Sequence, residues 1–180
     1  MNKVVTLSHG RAFEMEIFGV TEGSFGDLGA FIRHKYMDFD SSIQQIIEYN
    51  WAMYADALES GEGLVYNPLN PHVGKSHLLW ESVKNGLGSK VGVRGNLPLN
   101  LYIAIGRNAL DYHHGVDAFF WWQGVYATID VSVRIKDSRE LKADFLFLPK
   151  DLERSRLLNF GKNVASLLIE REMGVEACGV

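Results

Sequence analysis

The stretch that most restricts how this chain can fold is 116–134, where two extended apolar runs are separated only by Gln123-Gly124. Residues 116–122 and 125–134 are rich in β-branched and aromatic side chains, and a two-residue link between such runs makes a tight hairpin. Register follows from the turn: Trp122 pairs near Val125, which sets Asp117 opposite roughly Asp130. Both aspartates then lie in apolar surroundings, Asp130 between Ile129 and Val131 with Val133 beyond. A carboxylate there must protonate, find a partner, or cost several kcal/mol of desolvation. Like charges across a ladder repel. A shared Mg²⁺ or Mn²⁺, hard cations that take oxygen ligands, would remove that repulsion.

The rest of the chain reads as helices and strands around this hairpin. Ile43, Ile46, Ile47, Trp51, Tyr54 and Leu58 predict an amphipathic helix over 41–60, started by Asp40 or Ser41 and ended by Gly61 and Gly63. Residues 66–71, with Pro68 and Pro71, read as loop. Leu78, Leu79 and Val83 predict a helix over 76–86, capped by Ser76 and stopped at Gly86 and Gly88. Strands are expected over 99–105 and 142–148. A C-terminal helix is expected over 151–172, ending before Gly174, with Leu152, Leu157, Phe160, Val164, Leu167 and Leu168 inward. Val5, Leu7, Phe13, Met15 and Ile17 alternate loosely and suggest an initial strand or hairpin around Gly10. The expected fold class is α/β, a single domain with a mixed central β-sheet flanked by helices. Residues 1–74 would form an N-terminal embellishment or dimerisation element, and 75–180 the core.

Composition narrows the function classes. With 180 residues, 47% hydrophobic and 22% charged, the chain needs neither disulfides nor a structural metal to fold. The lone Cys178 excludes a disulfide framework and a cysteine-rich zinc site, which fits a reducing, cytoplasmic setting. Apolar runs such as 118–122 fall far short of the roughly 18 residues of a spanning helix, and 4–7 is too short for a secretory signal, so no membrane partner is expected. The net charge of −4 argues against a non-specific nucleic-acid coat. That charge is uneven, however: residues 1–74 hold 4 Lys and Arg against 10 Asp and Glu, and 75–180 hold 14 against 12. Basic residues of the second half, among them Lys84, Lys90, Arg94, Arg107, Arg134 and Arg154, would serve a phosphate backbone if they shared a face.

Three motifs are weaker. Gly74-Lys75-Ser76 runs into a helix but lacks the glycine five residues before the Gly-Lys pair, where Leu69 stands, so it reads as an ordinary helix start with Lys75 exposed. Asp111-Tyr112-His113-His114 suggests a ββα-metal nuclease of the HNH type, yet no histidine follows His114 to bind the metal. Adjacent histidines on an extended segment also face opposite ways, and a polar turn feeding the next strand is the simpler reading. Phe119-Phe120-Trp121-Trp122, with Tyr126, offers stacking surfaces for unpaired bases, although alternation sends Phe120 and Trp122 to one face and Phe119 and Trp121 to the other, as core packing requires.

Val116-Asp117, Ile129-Asp130-Val131 and the element order from 76 onward resemble the PD-(D/E)XK nuclease superfamily, the restriction-endonuclease-like fold, over residues 76–172. Its core runs helix, three strands, helix, strand, with an Asp opening the second strand and an acidic residue, any residue and Lys on the third. The resemblance implies a metal-dependent DNA endonuclease or exonuclease. Asp117 and Asp130 would hold Mg²⁺ or Mn²⁺, and Glu81 on the preceding helix would be the extra acidic ligand some members carry. The motif-lysine position is Ser132, so Lys136 or Lys142 would replace the lysine; Lys136 shares the strand parity of Asp130 if the strand runs that far. A homodimer would suit double-strand cutting. The alternative is a non-catalytic nucleic-acid- or protein-binding domain on the same fold.

Overall fold

A computed structural model describes residues 9–19, 36–61, 66–92, 97–104 and 108–178, and for 175–178 the backbone alone. The first element is α1 (His9–Phe18), a helix where alternation suggests a strand. Phe13 and Ile17, four residues apart, share a face and are buried with Phe18, so the helical period wins over the weaker alternation. Val5 and Leu7 lie outside the described residues.

Helix α2 (Phe39–Ser60) starts two residues earlier than expected, because Asp38 rather than Asp40 or Ser41 is the cap. The Asp38 carboxylate accepts from Ser41 N at 2.9 Å and from Ser41 Oγ at 2.8 Å. Gly61, at φ 72°, ends it in the left-handed conformation. Helix α3 (Ser76–Val91) runs past both Gly86 and Gly88 to stop at Gly92. Its cap is Lys75, without a side-chain bond; Ser76 instead donates its hydroxyl to Val73 O at 2.5 Å. Leu79 and Val83 point inward as expected, whereas Leu78 is exposed.

Gly86 is a contact rather than a stop. A Cβ there would stand 2.7 Å from Gly161 O on the C-terminal helix α5 (Arg154–Cys178), and one on Gly161 would strike the Ser82 carbonyl. The backbones of α3 and α5 therefore touch. Helix α5 follows a 3-10 turn at Pro149–Leu152 and continues through Gly174 instead of ending before it.

Four strands form one mixed sheet in chain order: β1 (Asn100–Ile103), β2 (Ala118–Trp122), β3 (Val125–Val131) and β4 (Phe145–Phe147). The first three are antiparallel and β4 runs parallel to β3. Gln123 and Gly124, at φ 49° and 84°, make the tight turn, and Trp122 pairs with Val125 as the sequence requires. Between β1 and β2 the chain adds a short helix, α4 (Ala109–His114), capped by Asn108 and closed by Gly115. The adjacent histidines are thus helical, not extended. Between β3 and β4, residues 132–144 are loop and turn, where the resemblance implies a helix.

Alternation divides the hairpin between two cores. Ala118, Phe120, Trp122, Ala127, Ile129 and Val131 face α1, α3 and α5, packing with Phe13, Leu79, Val83, Val164 and Leu168. Phe119 lies on the other face with Ile43 and Ile46 of α2 and Leu110 of α4, flanked by half-buried Trp121 and Tyr126. Core packing thus takes most of the aromatic run. The outer edge of β1 is closed by side chains: Asn50 both donates to and accepts from the Ile103 backbone, and Tyr66 donates to Leu101 O at 2.7 Å.

Candidate active site

The two carboxylates stand at the end of the β2–β3 ladder remote from the turn. Asp130 follows Tyr126 and Thr128 on β3 by steps of two, which puts it on the α2 face, whereas Asp117 lies one residue before β2, where alternation is interrupted: Val116 joins the α2-side core and Ala118 the other. Asp117 stands one residue beyond the Ala118–Ile129 pair, as the turn register requires. Its backbone is pinned on both sides: its N–H donates to Ile129 O at 2.9 Å, and its carbonyl accepts from Ala104 N at 2.8 Å. Asp117 is 8% exposed and Asp130 3%.

Their electrostatics differ. Burial pushes the Asp117 carboxyl well above the usual carboxylate range, and Asp111, Glu14 and Asp130 push it further in the same direction. One hydrogen bond opposes them, from Val131 N to Asp117 Oδ2 at 2.6 Å. Asp130 has a cation. Lys136 Nζ lies 2.5 Å from Asp130 Oδ2, the lysine side chain being 24% exposed.

Lys136 reaches Asp130 by a different route from strand parity. β3 stops at Val131, and Val133, expected on a buried face, is 44% exposed. The loop then turns back: Ser132 Oγ accepts from Arg134 N, and Asp137 Oδ1 accepts from Arg139 N and Glu140 N. Ser132 N donates to Phe147 O, which ties the start of the loop to β4.

The remaining candidates are elsewhere. Glu81 is exposed on α3, the helix packed against the opposite face of the sheet, and does not join the pair. Among the described residues no three His, Cys, Asp or Glu side chains form a metal-holding group, so the expected three-acid set with Glu81 is not assembled. Lys142 donates to His113 O at 2.9 Å and makes no ion pair with either aspartate. Lys75 pairs with Glu16 of α1, which accounts for the Gly-Lys-Ser segment without a phosphate. His114 Nε2 lies 2.9 Å from Met37 O and its ring packs edge-on to Phe39.

Two groups escape sequence reasoning. Glu14 and Asp111 act electrostatically on Asp117, the first because α1 is a helix, the second because α4 turns the chain back before β2. Beside the pair, Asp144 is clamped: Arg171 donates to its two oxygens at 2.9 and 2.7 Å, and Thr128 N and Oγ1 each donate at 2.8 Å. Burial raises the Asp144 carboxyl, but these donors outweigh it and hold it below the ordinary value.

What the fold defines is a mixed α/β domain with helices on both faces of a four-stranded sheet. Comparison with protein-family models, with curated proteins and with solved structures gives no match to this chain. Among the described residues no helix is long and apolar enough to cross a membrane.

Proposed function

We propose that the chain is a metal-dependent deoxyribonuclease of restriction-endonuclease-like architecture, hydrolysing phosphodiester bonds at Asp117 and Asp130. The observation that carries the reading is the pair itself: two buried carboxylates at the same end of the β2–β3 hairpin, one of them held by a lysine from the loop that follows. Antiparallel β1 to β3 with β4 parallel beside them is compatible with it; the helix-free 132–144 connection is a departure.

The donor chemistry fits a hard cation. Mg²⁺ commonly takes one or two carboxylates and completes its shell with water and substrate phosphate, so a third acid is not required. Burial first, and neighbouring acids after it, hold Asp117 against ionising, and a divalent cation would favour its charged form. Asp117 and Asp130 would hold Mg²⁺ or Mn²⁺, which when bound activates water and offsets charge developing on the phosphate.

The protein groups have separate tasks. Backbone bonds from β1 and β3 fix Asp117, so its carboxyl needs no reorganisation to receive a ligand. Lys136 carries three N–H donors, one already directed at Asp130; the others suit a non-bridging phosphate oxygen. Hydrolysis adds the oxygen of water to phosphorus and breaks a P–O bond, and the leaving oxygen takes a proton.

The test is incubation of linear, circular and branched DNA with Mg²⁺ or Mn²⁺. Wild type should cleave, a chelator should stop it, and Asp117→Asn and Asp130→Asn should each lower the rate about a thousandfold, roughly 4 kcal/mol of transition-state stabilisation. Cleavage unchanged in both variants would overturn the site. Salt-sensitive binding by a wild type that never cleaves would favour a binding domain instead.

A further inference from the structure

A groove of about 440 Å³ opens beside the first half of β3, walled by Phe39, Tyr126, Thr128, Lys142, Asp144 and Arg171. It lies beside the proposed site. Thr128 precedes Asp130 by two residues on β3, about 6.6 Å along the strand. The volume lies in the range of small-ligand sites.

Its surfaces differ in kind. Phe39 and Tyr126 are half-buried rings with centroids 5.9 Å apart, and Trp121 backs Tyr126 in a stacked arrangement at 6.1 Å. Tyr126 is braced, its hydroxyl donating to Asp40 Oδ1 at 3.1 Å and its carbonyl accepting from Arg171 at 2.5 Å. Two cations, Lys142 and Arg171, and one anion, Asp144, line the groove, with a second anion, Asp40, at the Tyr126 hydroxyl. Arg171 is committed to Asp144. Exposed Lys142 gives one of its three donors to His113 O and keeps two.

A fixed aromatic wall beside an available ammonium suits a planar ring that carries an anionic group. We propose that this groove is a nucleotide subsite, taking one unstacked nucleotide of a DNA strand with its base against Phe39 and Tyr126 and its phosphate on Lys142. Its place next to the scissile phosphate rests on the nuclease reading; its affinity for a single strand does not. Lys142 thereby acts in binding, outside the reacting atoms where sequence reasoning placed it.

The experiment uses wild type in chelator, so that binding is read without turnover, with a fluorescein-labelled thymidine strand of about 8 nucleotides followed by anisotropy. Tyr126→Leu should weaken binding about tenfold, the scale of one stacked base. Lys142→Ala should weaken it about fivefold and lower the salt dependence. Lys90→Ala, which removes the same charge from the groove between α3 and α5, should bind as wild type. Melting curves check each fold; should Tyr126→Leu unfold, the exposed Lys142 still decides. Equal losses in Lys142→Ala and Lys90→Ala, wild-type binding by both groove variants, or no binding by wild type would each overturn the subsite. Cleavage is scored separately. Groove-dependent binding without any cleavage by wild type removes the hydrolysis and keeps the subsite, whereas cleavage with groove-independent binding does the reverse.

Discussion

Asp117 and Asp144 each accept a backbone N–H of β3, and their surroundings are opposite. Asp144 meets a guanidinium, a hydroxyl and a backbone N–H, and is held more acidic than usual. Asp117 meets one backbone N–H and three further acids, and is held much less acidic. A carboxylate with every partner in place acts as a staple, here joining the end of the 132–144 loop and α5 to β3. One kept buried among like charges costs stability, and under the proposed reading a bound cation would offset that cost.

The contrast breaks most visibly at Asp144. Asp144→Ala leaves Arg171 and Thr128 without their acceptor and should cost about 2 kcal/mol in urea unfolding, with the midpoint shifted and the slope unchanged. Thermal and chemical stability equal to wild type would mean that the clamp is cosmetic.

Asp117 should behave in the reverse sense. Its acidity is weaker in the folded chain than unfolded, so the penalty is absent below about pH 4, where both states are protonated, and grows as pH rises. Asp117→Asn should therefore raise stability at pH 7 by about 1 kcal/mol in chelator and lose that advantage on acidification. Mn²⁺ should stabilise wild type and leave the variant unmoved, as melting temperatures would record. For Asp144, held more acidic when folded, the sign is opposite: its contribution is present above about pH 4 and disappears below.

The smallest effect belongs to Thr128→Val. It deletes one hydroxyl from the clamp and keeps the β-branched shape, for about 0.5 kcal/mol, read from the same unfolding curves. A loss as large as that of Asp144→Ala would show that the hydroxyl, more than Arg171, holds the carboxylate.

The hairpin and its register, which brings Asp117 to the same end as Asp130, were legible in the sequence because a two-residue turn between extended runs is a local signal. Glycines misled. Gly86 and Gly174 look like helix stops, yet the first exists so that α5 can approach and the second is simply tolerated, a distinction that depends on a partner some 75 residues away. The arrival of Lys136 at Asp130 was half legible: the residue follows from the sequence, but the fold-back depends on turns at Ser132 and Asp137 that no strand pattern encodes. The Asp144 clamp needed Arg171 from the far end of α5 and left no local trace.

The 132–144 loop is tied at both ends, by Ser132 to β4 and by Asp144 to β3. Lys136 is consequently a tethered cation: the loop that delivers it to Asp130 is anchored on both sides of it, so its local concentration there owes nothing to the sheet's own sequence.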